Sequence, residues 1–227
     1  MRTAAILPVK SFGAAKQRLG SLLGQGSRQA LAQAMFQDVL ASLRKVEAIE
    51  RIVIVASEPS VEFAADAQVI LLEDEACEGQ SAAALIGIRW AVAAGFERVL
   101  LVPGDTPMLV PGEIAALLAE TSDDVVIVPD RHRTGTNGLL LRPPTAIEPS
   151  FGPDSLERHV AAAEAAGVTY RVERVPSLVY DVDTSDDLAV VVAQIESSRA
   201  VAPRTRGALR QLDRAGARLK QPAGAES

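Results

Sequence analysis

The chain has one cysteine in 227 residues, Cys77, so it can form neither an internal disulfide nor a cysteine-based zinc cluster. Its two histidines, His132 and His159, lie far from each other and from any Ser or Cys signature. A catalytic triad is therefore not expected, and each reads as a surface or packing residue. No apolar run reaches the length of a membrane span. The first residues, Met1-Arg2-Thr3, lead directly into a strand-like run with no signal-peptide pattern, so a cytoplasmic protein is expected. Basic excess is also missing. The net charge is −6, which argues against a nucleic-acid partner. Neither the GxxxxGK[ST] phosphate loop nor the dinucleotide GxGxxG occurs.

Hydrophobic residues make up 48% of the chain, enough for one sizeable α/β domain. The charge divides the chain. From Arg199 onward seven basic residues face two acidic ones, a net +5, which leaves −11 on the rest. We expect a single domain over 1–198 and a basic tail over 199–227. In the tail Leu209, Leu212, Ala215 and Leu219 fall at roughly helical spacing, consistent with either an amphipathic helix or a solvated, disordered segment.

Strand and helix patterns alternate along the body. Thr3 to Pro8 reads as a first strand, and Ser27 as the cap of a helix running to about Val46. Ile52 to Ala56 and Val69 to Leu72 read as strands, and Ala82 to Ala94 as an alanine-rich helix. Val99 to Val102, a helix over 111–120 and a strand over Val125 to Val128 follow. This rhythm predicts a mostly parallel sheet with helices on both faces, a Rossmann-like α/β arrangement. Past Pro129 the rhythm changes. A polar loop over 130–138, a strand Leu139 to Leu141, a helix from Pro153 to Ala166 and a strand over 169–175 predict a small β-containing lobe over the ligand end of the sheet. A last helix runs from Thr184 to about Ser197. Thr184 and Asp187 form a capping-box pair at its start.

Arg98 to Met108, RVLLVPGDTPM, is the centre of the pattern. Asp105 follows a buried strand closely, at the edge where open α/β sheets bind ligands. It is either a ligand-facing acid or the cap of a turn. Asp181 and Asp183 are two apart on an extended segment and point the same way, a pair that is either repelled apart or held by a cation. Lys10, Lys16 and Arg18 follow the first strand among the small residues Gly13, Ala14 and Ala15, which favours a phosphate site over a simple solvated loop. Gly79-Gln80-Ser81 offers amide and hydroxyl groups suited to a nucleobase edge, though Ser81 serves equally as a helix cap. Together, three acids and a basic loop suit chemistry on phosphate esters, with Mg²⁺ bridging carboxylates to phosphates. Nucleotidyl transfer to an acceptor phosphate fits the shortage of histidine and cysteine, because the attacking oxygen is already anionic and needs no general base.

These residues carry a family resemblance. Ile6-Leu7-Pro8-Val9-Lys10, Lys16-Gln17-Arg18-Leu19, Pro103-Gly104-Asp105, Gly135-Thr136-Asn137-Gly138-Leu139, Phe151-Gly152-Pro153-Asp154-Ser155, His159 and Asp181-Val182-Asp183-Thr184 resemble the 2-phospho-L-lactate/phosphoenolpyruvate guanylyltransferases of deazaflavin coenzyme F420 biosynthesis. The resemblance spans about 3–196 and leaves the tail unmatched. It implies a Rossmann-like nucleotidyltransferase with GTP as donor and a small phosphorylated three-carbon acid as acceptor. Asp105, Asp181 and Asp183 would hold Mg²⁺ and the acceptor phosphate. Lys10, Lys16 and Arg18 would meet the triphosphate. Thr136, Asn137, Gly152 and Ser155 would meet the acceptor, and Pro8, Lys10, Gly79, Gln80 and Ser81 the nucleotide. It also leaves room for a homo-oligomer and for handover of the product to a downstream transferase. The first loop, Pro8 to Gly13, departs from the GGxSxRMG-like loop of molybdenum-cofactor and sugar nucleotidyltransferases. Phosphoenolpyruvate is the favoured acceptor over 2-phospho-L-lactate and 3-phosphoglycerate. The rival readings are a sugar- or polyol-phosphate nucleotidyltransferase and a non-catalytic nucleotide-binding protein.

Overall fold

The computed structural model describes residues 1–9, 12, 16–20, 22–57, 61, 64–120, 122–198 and 201–216. Lys10 and the Gly13-Ala14-Ala15 stretch of the expected phosphate loop lie outside them. Seven strands form one sheet: β1 (Thr3–Val9), β2 (Arg51–Ala56), β3 (Val69–Glu73), β4 (Arg98–Leu101), β5 (Val125–Pro129), β6 (Thr136–Leu141) and β7 (Tyr170–Val172). Their order is β3-β2-β1-β4-β6-β5-β7. β6 is antiparallel to β4 and β5, and the other pairings are parallel. After β1 the chain moves outward through β2 and β3, then returns to place β4 on the other side of β1. That reversal opens a crevice between β1 and β4 at their carboxyl ends, the usual ligand position in such sheets.

Among the described residues six helices cover the sheet: α1 (Gln25–Leu43), α2 (Gln80–Ala93), α3 (Pro111–Glu120), α4 (Ser155–Ala166), α5 (Ser185–Ser197) and α6 (Pro203–Arg214). Alternate residues of β1 feed two cores. Ala5, Leu7 and Val9 join the cluster that also holds buried residues of α1, α3, α5 and α6. Ala4 and Ile6 join Ala83, Ala84, Ile88 and Ala91 of α2 and Ala163 of α4 on the other face. α2 approaches β1 closely. A Cβ at Gly87 would lie 2.5 Å from Ile6 Cγ2, so the absence of a side chain there sets the helix–sheet distance.

Several boundaries differ from the sequence reading. α1 begins at Gln25 behind an extended Gly24, so Ser27 lies in its first turn and does not cap it. β6 begins at Thr136, and β6 and β7 join the central sheet beside β5 where a small lobe over its ligand end was expected. The cause is β6, which is buried along its whole length and inserts between β4 and β5. α4 starts at Ser155, after a left-handed Asp154 (φ 55°), so Pro153 precedes the helix. β7 covers only Tyr170–Val172 and is followed by a 3₁₀ turn, Pro176–Leu178.

Within the tail, α6 packs on α1. Leu209 and Leu212 are buried in the larger core. The N-terminal residue of α6 supplies no side-chain cap; the buried carboxylate of Asp38 on α1 accepts from Arg204 N at 3.1 Å and Thr205 N at 2.7 Å instead. Among the described residues no helix is long and apolar enough to cross a membrane.

Candidate active site

A cleft of about 690 Å³ opens at the carboxyl edge of β1, β4 and β5 and the amino end of the antiparallel β6. Pro8 and Val9 end β1 on one side of it, and Pro103-Gly104-Asp105 follow β4 on the other. Because β6 runs the opposite way, its first residues, Thr136 and Asn137, reach this same edge. Gly152 and Ser155 enter from the loop before α4, and Asp181 and Asp183 from the segment before α5.

Lys16 lies at the centre of the charges. It takes a left-handed backbone conformation (φ 58°, ψ 38°) just before a 3₁₀ turn over Gln17–Leu19. Its ammonium pairs with Asp105 Oδ2 and, at 3.0 Å, with Asp183 Oδ1. The Lys16 side chain is only 7% exposed, against 55% for Asp183. Burial would lower the pKa of this ammonium, but the two carboxylates outweigh burial and raise it.

Asp181 has the opposite environment. Burial, then the neighbouring charge of Asp105, pushes its carboxyl up to about 6, against a stabilising hydrogen bond from Asn137. Asn137 Nδ2 donates to Asp181 Oδ1 at 3.0 Å and to Leu178 O at 2.8 Å, so this buried amide ties the β6 start to the acidic segment. Asp105 Oδ1 is buried with no hydrogen-bond partner among the described residues.

The fit to Mg²⁺ rests on these last two observations. A buried, unpartnered carboxylate oxygen beside a second carboxylate that burial drives toward protonation is the donor set a hard divalent cation satisfies. Among the described residues, no group of three or more His, Cys, Asp or Glu side chains is arranged to hold a metal on its own. The Lys16 ammonium lies against two of the three acids expected in that role. Two carboxylates with substrate phosphate and water oxygens are nevertheless a usual Mg²⁺ environment.

On the opposite wall, His159 is fully buried. Its Nδ1 lies 2.9 Å from Thr136 Oγ1, and its Nε2 accepts from Ser150 N at 2.8 Å. Burial, and secondarily Arg158, pushes its pKa down to about 4, so the ring is neutral at ordinary pH. Arg158 binds Ser150 Oγ at 2.8 Å and Ser150 O at 2.9 Å, and fixes the loop from its other side. Gly152 has φ 110°, which favours glycine.

Eleven sequence-selected residues thus converge on one cleft: Pro8, Lys16, Arg18, Gln80, Asp105, Thr136, Asn137, Gly152, Ser155, Asp181 and Asp183. Lys10 lies outside the described residues. Gly79 and Ser81 do not line the cleft. Gly79 is the positive-φ residue (φ 105°) before α2, and Ser81 Oγ accepts from Phe151 N at 2.8 Å, bracing the loop before α4. The sequence reading gave no role of their own to Asp130, Thr134, Phe12, Phe36 and Phe151, all of which line the cleft. The signal that selected Asp105, an acid just past a buried parallel strand, applies equally to Asp130 after β5. The rings of Phe12 and Phe36, with centroids 5.7 Å apart, are brought together only by folding.

The family model described as guanylyl transferase CofC like matches residues 3–202. A phosphoenolpyruvate guanylyltransferase from Conexibacter woesei is 47% identical over 216 residues, covering 93% of this chain and 97% of the relative. A 2-phospho-L-lactate guanylyltransferase from Methanothermobacter thermautotrophicus is 33% identical, covering 88% of each chain. Among solved structures, one described as a nucleotide-diphospho-sugar transferase, from Desulfovibrio desulfuricans G20, superposes with a TM-score of 0.76 at 21% identity, covering 94% of this chain and 96% of that one. This last likeness concerns the fold, which is that of the nucleotidyltransferases.

Proposed function

The chain belongs to the CofC-like guanylyl transferases, and from that premise we propose that it transfers GMP from GTP to the phosphate of phosphoenolpyruvate. The products are enolpyruvoyl-2-diphospho-5'-guanosine and pyrophosphate, and the reaction belongs to deazaflavin coenzyme F420 biosynthesis. An acceptor phosphate oxygen attacks the α-phosphorus, and the bond from that phosphorus to the β-phosphate oxygen breaks. The nucleophile arrives deprotonated, so no side chain has to remove a proton.

The observation that carries this reading is the junction of Lys16, Asp105, Asp181 and Asp183 at the β4 edge of the cleft. Asp105 and Asp181, with Asp183, would hold Mg²⁺, which when bound neutralises charge developing on the transferring and leaving phosphates. The Lys16 ammonium, shared by Asp105 and Asp183, offsets one of their two negative charges. An incoming triphosphate competes for that ammonium, and Arg18 at the rim adds a second cation. In this reading Thr136, Asn137, Gly152 and Ser155 take the acceptor, and Pro8 and Gln80 line the nucleotide side. Gly79 and Ser81 act there by shaping the α2 start and the loop behind it.

Pyrophosphate release measured with GTP, Mg²⁺ and phosphoenolpyruvate, 2-phospho-L-lactate or 3-phosphoglycerate in turn tests the proposal. Turnover is expected to be fastest with phosphoenolpyruvate; preference for another of the acids reassigns the acceptor, and release with none of them overturns the reading. In the same assay Asp183→Asn is expected to lower turnover by at least ~10²-fold, the scale lost with one preorganised electrostatic group. Because this side chain is 55% exposed, melting should stay close to that of the parent protein.

A further inference from the structure

The groups that meet the acceptor are themselves held by a residue with no part in phosphate chemistry. His159 is a fully buried imidazole between the start of β6 and the loop before α4. Both ring nitrogens are in use. Ser150 N–H is a donor only, so Nε2 must be the accepting, unprotonated nitrogen. In a neutral imidazole the proton then resides on Nδ1, which donates to Thr136 Oγ1 at 2.9 Å.

This tautomer determines what Thr136 can do. With one lone pair of its oxygen taken by Nδ1–H, the threonine hydroxyl directs its own hydrogen elsewhere. No acceptor for that hydrogen is found among the described residues, and Thr136 lines the cleft. A hydroxyl so arranged offers a donor to an anionic oxygen entering the site. The ring is kept in place on its other sides by the edge of Phe151, with centroids 5.4 Å apart, and Phe151 N is in turn held by Ser81 Oγ. Ring, hydroxyl and loop therefore form one hydrogen-bonded unit.

We propose that His159 is a positioning residue for the acceptor acid: it fixes the Thr136 hydroxyl as a donor into the cleft and aligns the Ser150 to Ser155 loop with it. The ligand chemistry selected is a carboxylate next to a phosphate ester, since a neutral, oriented donor set favours an anionic oxygen over the hydroxyls of a sugar. The inference rests on the reading that Thr136, Gly152 and Ser155 meet the acceptor. Burial keeps the ring uncharged over the working range, so the donor direction does not invert with pH.

Two substitutions separate the two ring nitrogens. His159→Gln can place an acceptor for Ser150 N–H but withdraws the donor to Thr136, whereas His159→Asn keeps a donor near the Nδ1 position. Steady-state kinetics with the acceptor acid used by the parent enzyme are measured for both, for Thr136→Val and for the His159→Gln/Thr136→Val pair. Thermal melting serves as the folding control. His159→Gln and Thr136→Val are each expected to raise the acceptor KM by ~10-fold, the scale of one hydrogen bond, with the GTP KM unchanged. His159→Asn is expected to recover most of that loss, and the double variant to be no worse than Thr136→Val. Equal acceptor KM values for the Gln and Asn variants, effects that multiply in the double variant, or an equal rise in the GTP KM would overturn the proposal. If the unsubstituted protein turns over none of the three acids, it is the guanylyltransferase reading that fails. If it turns over one and both His159 variants match it, only the positioning role fails.

Discussion

At the scale of single residues, the site combines groups whose environments push their protonation in opposite directions. Lys16 is held charged by two carboxylates, Asp181 is pushed toward protonation by burial, and His159 is kept neutral by burial. The histidine has a consequence for stability. Its pKa falls from 6.5 to about 4 in the fold, so between those values the unfolded chain binds a proton that the native state refuses. Stability is therefore full above pH 6.5 and declines as pH falls toward 4, by on the order of 3 kcal/mol from this group. Urea denaturation at pH 7 and pH 4.5 should show that decline, and His159→Gln should remove most of it while costing stability at pH 7. A decline of equal size in the variant would assign the effect to other groups.

At the scale of elements, the amino end of α5 determines where the acidic segment sits. Thr184 caps the helix in a reciprocal box with Asp187. The Asp187 carboxylate accepts from Thr184 N at 2.7 Å and Asp183 N at 3.2 Å, and pairs with Arg131 at 2.7 Å. Arg131 belongs to the turn between β5 and β6 that also carries Asp130 and Thr134, so one carboxylate links two walls of the cleft. Thr184→Ala should cost about 1 kcal/mol as a lost cap. Asp187→Ala should cost about 2–3 kcal/mol, because it removes the cap and takes the carboxylate partner from the partly buried Arg131 guanidinium. It should also raise the Mg²⁺ concentration needed for half-maximal rate, since Asp183 loses its backbone anchor. Chemical denaturation and a metal titration of the rate check both, and equal stability losses in the two variants would contradict the bridging role. The capping pair itself was readable in the sequence, because its spacing is local. The Arg131 contact, 56 positions away, was not.

At the scale of the whole molecule, the chain from 203 to 214 is part of the body. α6 supplies Leu209 and Leu212 to the core shared with α1, and Asp38 of α1 serves as its cap. A chain ending at Ser198 would expose that apolar surface and strip Asp38 of the two backbone N–H donors that α6 supplies. Two buried leucines alone represent ~3 kcal/mol or more, so the truncated chain should melt well below the full one. Melting that stays unchanged would mean that α6 adds nothing to the fold. The site lies on the opposite terms of this architecture, at the edge where strands end and loops begin. There the backbone has polar groups to spare and the side chains are not consumed by packing.

The sequence by itself determined the alternation of strands and helices, the buried character of β1, β4 and β5, the α5 cap and most of the residue types at the site. Each of these is written in short-range periodicity or in neighbours a few positions apart. It did not determine that β6 turns antiparallel into the sheet, because a strand buried on both faces has the same apolar pattern in either direction. It did not disclose that Lys16 would settle on Asp105 and Asp183, 89 and 167 positions away, or that His159 would brace Thr136. Those pairings depend on strand order and on the crevice between β1 and β4, which arise only when the whole sheet closes. Asp105 illustrates the division: its place after a strand marked it as an acid at the ligand edge, and tertiary structure alone gave it a cation, an opposing carboxylate and an oxygen left without a partner.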